Sequence, residues 1–323
     1  MTIKEQLYGL LEENRGKFIS GEDMAKQLYC TRGAVWKAIK ALRNDGFEIK
    51  AVTNRGYCLS DSGDILSEAG IKRYLKRECN ITVLKTIGST NTYLRELAQN
   101  GANEGTLVVS CEQTGGYGRR KRNFFSPADT GLYMSILLRP PFSAQESVKI
   151  TAAGAVAVCM AIEKVTGIYS EIKWVNDIFV KNKKVAGILT EASLNIETGS
   201  LDYAIIGIGI NVYKPENGFP SEISEIAGAL IDKRTSDVRN KLAAEIYDHF
   251  MKFYGKFPEC DYVREYQKRL MWLGERIYIH SGADGHIKTP AILLGTDESF
   301  ALRIRYDNGT EDIIYSGEIS IGR

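Results

Sequence analysis

Three glycines in four positions, Gly115, Gly116 and Gly118, run straight into Arg119, Arg120, Lys121 and Arg122 in the stretch GGYGRRKRNFFSP (115–127). Open backbone N–H groups followed by guanidinium groups suit the chemistry of anions, phosphate or carboxylate. The same run also suits a nucleic-acid contact or a solvated, charged loop. Three other stretches set glycines or polar residues at strand ends: IGSTNTYL (87–94), IKWVNDIFVKNKKVAGIL (172–189) and IGIGINV (206–212). Taken singly, each has a plain structural reading. STN caps a helix, KNKK is a charged turn, and GIG marks a close backbone approach. His249, His280 and His286 have no cysteine or carboxylate at zinc spacing, and the six cysteines, at 30, 58, 79, 111, 159 and 260, form no CxxC pair. The sequence therefore predicts reduced thiols in a cytosolic protein and no structural metal.

The elements that must position these residues follow from periodicity. The 323 residues are 44% apolar, enough for a sizeable core in two or three domains, and the longest apolar stretches are too short to span a bilayer. From residue 106 onward, TLVVSCEQ (106–113), GLYMSILLRP (131–140), IKWVNDIFV (172–180), VAGILTEASL (185–194) and DYAIIGIGINV (202–212) read as strands. A helix capped by Ser143 and Glu146, and a second over 237–254, lie between or after them. This pattern predicts a mixed or antiparallel sheet with helices on one face. The last fifty residues alternate in period two with turn signals, Asp307-Asn308-Gly309 the strongest, and predict a small SH3-like β-barrel.

Charge separates the beginning of the chain from the rest. The protein carries +2 overall, but residues 32–60 alone hold six Lys/Arg against two Asp/Glu. Ile3, Leu7, Leu10 and Leu11 mark one amphipathic helix, SGEDMAKQLY a second capped by Ser20 and Asp23, and TRGAVWKAIKALRNDG a third with the stripe Val35, Ala38, Ile39 and Leu42. A hairpin around Asn54-Arg55-Gly56 follows. Helix, helix, basic helix and hairpin form a winged helix-turn-helix. Arg32, Trp36, Lys37, Lys40 and Arg43 lie off the apolar stripe, where they face a major groove, and Arg55 sits at the wing tip.

STN, GxGRR…FSP, KWxND, KxxGI and GIGIN occur here in one order over the chain. Together they resemble the bacterial biotin protein ligases, and closely the bifunctional kind that also represses the biotin operon. The resemblance spans the whole chain. It implies a winged helix-turn-helix over 1–62, a class II synthetase-like catalytic domain with a mixed sheet over 63–270, and the C-terminal barrel over 271–323. The sequence departs from the family at Tyr117, where arginine is common, at Lys121 for glycine, at Phe124 for tryptophan, and at Val175 for the proline of KWPND.

The resemblance further implies that biotin and ATP form biotinyl-5′-adenylate, which a lysine of a biotin carboxyl carrier domain then attacks. No Ser-His-Asp set is needed, because the substrates supply the nucleophiles. What the enzyme supplies is position and charge neutralisation. Arg119, Lys184 and Asp177 are the implied catalytic residues. Ser89, Thr90, Asn91, Gln113, Gly116, Tyr117, Gly118, Arg119, Lys184, Gly187 and Gly207, with Leu189 and Gly209, are implied around biotin. Arg120, Arg122, Asn176 and Asn211 join Arg119 and Lys184 around the nucleotide, and Mg²⁺ is expected with the pyrophosphate. The adenylate is the implied corepressor, promoting a homodimer that binds operator DNA, with VAGILTEASL as a candidate edge for pairing between protomers. A ligand-sensing regulator without catalysis and a lipoate ligase on a related fold are the competing readings. Intact Arg119 and Lys184 weigh against the first, GxGRR and KWxND against the second.

Overall fold

A computed structural model describes residues 2–60, 63–140, 147–194, 201–235, 237–257, 259, 261–281 and 287–321. The predicted cap at Ser143 and Glu146, and also Cys260 and His286, lie outside them. The chain divides into two compact units, one of Met1–Glu78 with Lys233–Glu245, the other of Cys79–Asp232 with Ile246–Arg323.

In the first unit, α1 (Ile3–Glu13) starts at a capping box in which Thr2 and Glu5 each accept from the other's backbone N–H. Ser20 caps α2 (Gly21–Gln27) and Thr31 caps α3 (Arg32–Asn44). β1 (Ile49–Val52) and β2 (Gly56–Leu59) form the wing hairpin. Gly56 has φ +96, and a Cβ there would sit 2.0 Å from the Ile19 carbonyl oxygen, so only glycine fits this corner. The predicted stripe of α3 is buried in full, packed with Leu7, Leu11, Met24, Ile49 and Leu59. α4 (Glu68–Lys72) follows, and Arg239 is buried against the Asp64 carboxylate with an Nε–Oδ2 distance of 3.1 Å.

The second unit holds a seven-stranded sheet. Its elements are β3 (Ile81–Leu84), α5 (Thr90–Gln99), β4 (Leu107–Ser110), β5 (Gly131–Leu138), α6 (Ser147–Thr166), β6 (Glu171–Lys173), β7 (Asp177–Val180), β8 (Lys183–Leu194) and β9 (Leu201–Asn211). Strand order is β3-β4-β5-β9-β8-β7-β6, parallel between β3 and β4 and antiparallel elsewhere. The helices cover both faces rather than one. Leu94 and Ala98 of α5 pack with Ile205, whereas Gly154 of α6 meets the adjacent Ile206, whose side chain points the opposite way. The run IKWVNDIFV is not one strand: it breaks at Trp174–Asn176 into the hairpin β6–β7, with Lys173 opposite Asp177. At the break the Asn176 backbone carbonyl accepts from Ile188 N–H at 2.9 Å and the Trp174 indole N–H donates to the Phe300 carbonyl at 2.8 Å.

After α7 (Val238–Tyr254) and α8 (Val263–Arg269) come β10 (Arg276–Ser281), β11 (Ile287–Thr296), β12 (Leu302–Tyr306), β13 (Glu311–Ile314) and β14 (Glu318–Ser320). The predicted Asn308-Gly309 turn joins β12 to β13, with Gly309 at φ +83. Among the described residues the expected SH3-like barrel does not close. The strands make an open sheet, β13-β12-β11-β10-β14. Closure would need β13 and β14 to pair. Instead β13 bonds to β12, and the three residues of β14 bond to β10. Among the described residues, no helix is long and apolar enough to cross a membrane.

Candidate active site

One face of the seven-stranded sheet forms the floor of a cavity of about 430 Å³. Gly187 pairs with Gly209 and Leu189 with Gly207 across β8 and β9, and Ser135 of β5 lies opposite Gly207. The missing side chains are what make the space. A Cβ on Gly207 would lie 2.3 Å from Asn91 Oδ1, and one on Gly209 2.4 Å from the Phe124 ring.

At one end stands the N-terminus of α5. Ser89 is its N-cap, and Ser89, Thr90 and Asn91 are all buried. Gln113 Oε1 accepts from Thr90 N–H at 2.9 Å, and Gln113 Nε2 donates to Ser126 Oγ at 3.2 Å. Ser135 Oγ lies 2.7 Å from Thr90 Oγ1 and 2.6 Å from Asn91 Oδ1. A buried set of hydroxyls and amides in an apolar wall can hold a small polar ring by hydrogen bonds.

At the other end, four of the predicted residues form a chain of contacts. Arg119 Nη1 donates to Asn176 Oδ1 at 3.2 Å, Asn176 Nδ2 donates to Asp177 Oδ1 at 3.2 Å, and Lys184 Nζ lies 2.7 Å from the same Asp177 oxygen. Asn176 Nδ2 also donates to the Ile188 carbonyl at 2.9 Å, which fixes the amide against β8. Lys184 reaches this face because of a β-bulge. Asp177 pairs with Gly187 but Phe179 pairs with Lys184, so three residues of β8 span what two of β7 span. In unbroken alternation Lys184 and Gly187 would point to opposite faces; the extra residue puts both over the cavity.

The glycine loop closes over this end as a small hairpin. Gly118 N–H donates to the Arg122 carbonyl at 2.8 Å and Phe124 N–H to the Gly116 carbonyl at 2.9 Å. Its tip, Arg120 and Lys121, holds φ of 54 and 56, so the lysine that replaces the family's glycine sits in the left-handed region. Arg122 pairs with Glu318 of β14 at 2.9 Å, and Arg120 lies 3.7 Å from the same carboxylate.

Most of the predicted residues line the cavity: Ser89, Thr90, Asn91, Gln113, Tyr117, Gly118, Arg119, Arg122, Asn176, Asp177, Lys184, Gly187, Gly207 and Asn211. Gly116 and Arg120 do not. Gly116 is buried beneath the loop, where a Cβ would lie 2.7 Å from Ser126 Oγ, and Arg120 is exposed at the tip. Sequence reasoning missed Lys173, Phe124, Glu318 and Glu191. Lys173 had a signal, being the lysine of KWxND; burial holds its ammonium below the usual lysine range. Glu318 had none, because it arrives from nearly two hundred residues beyond the loop. On the first unit, Arg32, Trp36, Lys37, Lys40, Arg43 and Arg55 are all exposed. Arg43 is partly occupied, its Nε donating to the Ile49 carbonyl at 3.0 Å, and Arg55 stacks over Phe18 at 4.4 Å.

Fold and site together are those of a protein ligase: residues 83–211 match the Biotin/lipoate A/B protein ligase family, and residues 4–58 match an HTH domain. The chain is 35% identical to the bifunctional ligase/repressor BirA of Bacillus subtilis (strain 168), over 99% of both chains. It is 31% identical to that of Escherichia coli (strain K12), over 65% of this chain and 64% of the relative. Its fold is similar to that of the Aquifex aeolicus biotin protein ligase in complex with biotin and ATP, with a TM-score of 0.60 and 30% identity over 76% of this chain and 99% of that one. The chain belongs to the bifunctional ligase/repressor family.

Proposed function

We propose a division of labour within a chain whose activity is that of a biotin protein ligase and repressor. The cluster of buried Ser89, Thr90 and Asn91 with half-buried Gln113 takes the ureido ring of biotin, with Gly187, Leu189, Gly207 and Gly209 as floor. Tyr117 and Gly118 bring loop backbone to the acid, above the buried turn at Gly116. Arg119 and Lys184 face the reacting oxygens, and Arg122, Asn176 and Asn211 attend the nucleotide, whereas Arg120 lies outside the cavity beside Glu318. The observation that carries this reading is the Arg119–Asn176–Asp177–Lys184 chain of contacts at one end of a cavity whose other end is lined by hydroxyls and amides.

In the first step a biotin carboxylate oxygen bonds to the α-phosphorus of ATP, and the bond from that phosphorus to the bridging oxygen of pyrophosphate breaks. In the second the neutral amine of a carrier lysine bonds to the acyl carbon, AMP leaves with the former carboxylate oxygen, and the amine sheds a proton. Both steps gather negative charge on oxygens, which two cations held in a low-dielectric cleft stabilise. Asp177 orients the Lys184 ammonium. Among the described residues no cluster of His, Cys, Asp and Glu forms a metal cage. Among the described residues that line the cavity the carboxylates are Asp177 and Glu318, and each faces a cation; an Mg²⁺ would be held chiefly by the triphosphate, with Asp177 the nearest protein carboxylate to Lys184, and would neutralise the leaving pyrophosphate. A direct test is exchange of labelled pyrophosphate into ATP. We expect exchange that requires biotin; exchange without biotin, or none with it, would contradict the reading.

The same reading assigns operator DNA to α3 and the wing, and a cytoplasmic location, where nucleotide, carrier and operator meet. Lys37→Ala is expected to weaken operator binding by a similar factor on every sequence and to lower the salt slope by about one, as loss of one phosphate contact does. An unchanged slope in fluorescence anisotropy would remove Lys37 from the interface. Residues Leu189–Leu194 of β8 have β9 on one side and no strand on the other among the described residues, which supports sheet pairing between protomers. Dimerisation is expected to strengthen with biotin and ATP together. Sedimentation showing one assembly state with and without them would count against ligand-driven repression.

A further inference from the structure

Glu191 lies on β8 four residues beyond Gly187, on the cavity face, and no step above uses it. Its carboxylate collects donors from three places. Asn91 Nδ2 donates at 2.7 Å, Arg95 Nη2 at 2.9 Å, and the Tyr117 hydroxyl at 2.9 Å to one oxygen and 3.2 Å to the other. Arg95 Nη2 also donates to the Tyr117 hydroxyl at 3.3 Å. Asn91 belongs to the end of the cavity lined by hydroxyls and amides. Tyr117 belongs to the loop, two residues before Arg119. One carboxylate therefore joins α5 to the loop.

An ionised carboxylate only accepts. By drawing Asn91 Nδ2 toward itself, Glu191 selects one of the two amide orientations and leaves Oδ1 facing Ser135 and the clearing above Gly207. By accepting a hydrogen bond from the Tyr117 hydroxyl, it ties the inbound arm of the loop to the sheet. The loop's own backbone bonds, Gly118 to Arg122 and Gly116 to Phe124, close the hairpin but do not fasten that arm to β8. Tyrosine is well suited to such a tie, being rigid, with an apolar body over the floor and a single polar tip.

We infer that Glu191 is a positioning residue for biotin, a latch that sets the Asn91 amide at the ring end and, through Tyr117, the loop at the acid end. The inference rests on the biotin site proposed above. It assigns Tyr117 a side-chain role in this chain in addition to any backbone contact.

The test uses the full-length chain carrying Glu191→Gln, Tyr117→Phe or both. Biotin binding is followed by stopped-flow, with initial rates of pyrophosphate exchange measured alongside. Loss of a hydrogen bond to a charged group predicts biotin dissociation and biotin KM raised about tenfold in each single variant. The effect falls chiefly on biotin KM, with the KM for ATP held within about twofold, because neither group faces the nucleotide. The double variant stays within about twofold of the weaker single variant, since the two changes break one shared bond. Purely structural damage would move all these parameters together. The latch is overturned if the parent binds biotin and both single variants release it at the parent rate. Effects that multiply to about a hundredfold in the double variant also overturn it. A parent that binds no biotin overturns the underlying site as well.

Discussion

Replacing Arg119 with alanine lowers kcat/KM for adenylation by about 10²–10³-fold, the usual cost of removing one preorganised donor to developing negative charge. Its guanidinium is held by Asn176 at 3.2 Å, in the loop that covers the cavity. A unit charge at about 4 Å in an effective dielectric of about 20 interacts by about 4 kcal/mol, which is the same size as that loss. Arg119→Lys should restore little, because an ammonium cannot repeat the planar fork that spans carboxylate and phosphate. Biotin retention should fall along with rate, since the reacting oxygens belong to both substrates. Pyrophosphate exchange at parental rates in Arg119→Ala would remove it from the reaction.

Lys184→Ala separates chemistry from binding. Nζ of Lys184 lies 2.7 Å from Asp177, in the chain of contacts that runs to Arg119. Its loss removes one cation from the reacting oxygens and exposes them to the Asp177 carboxylate. Single-turnover adenylation should drop about 10²–10³-fold, while biotin affinity changes by less than about threefold. Removing the carboxylate as well, in Lys184→Ala with Asp177→Asn, should recover part of the rate, because the uncompensated charge goes with it. A weaker biotin affinity with an unchanged single-turnover rate would invert the assignment.

These two residues also show how far sequence carries. Local features were legible: the apolar stripe of α3, the Ser89 cap of α5 and the Asn308-Gly309 turn depend on neighbours within a few residues. The order of STN, GxGRR, KWxND and GIGIN pointed to Arg119, Asn176, Asp177 and Lys184, which the sheet gathers in one cavity. The aim of Lys184 was not legible, because a bulge moved the side chains of β8 by one position. Nor were Glu191 and Glu318, whose partners Tyr117 and Arg122 lie 74 and 196 residues away. The C-terminal barrel failed for a related reason. Alternation identifies strands, but closure depends on whether two distant edges pair, and β13 and β14 do not. The basic run that raised three readings has acquired contacts: Arg119 on Asn176, and Arg122 with Arg120 on Glu318.

The central claim is that this chain activates biotin and delivers it to a carrier lysine. Incubating the protein with ATP, labelled biotin or labelled lipoate, and a carrier domain tests it in one assay. The account predicts label on the carrier's lysine from biotin, dependent on ATP, and none from lipoate. Label from lipoate alone, or operator binding that responds to biotin with no label on the carrier, would contradict it.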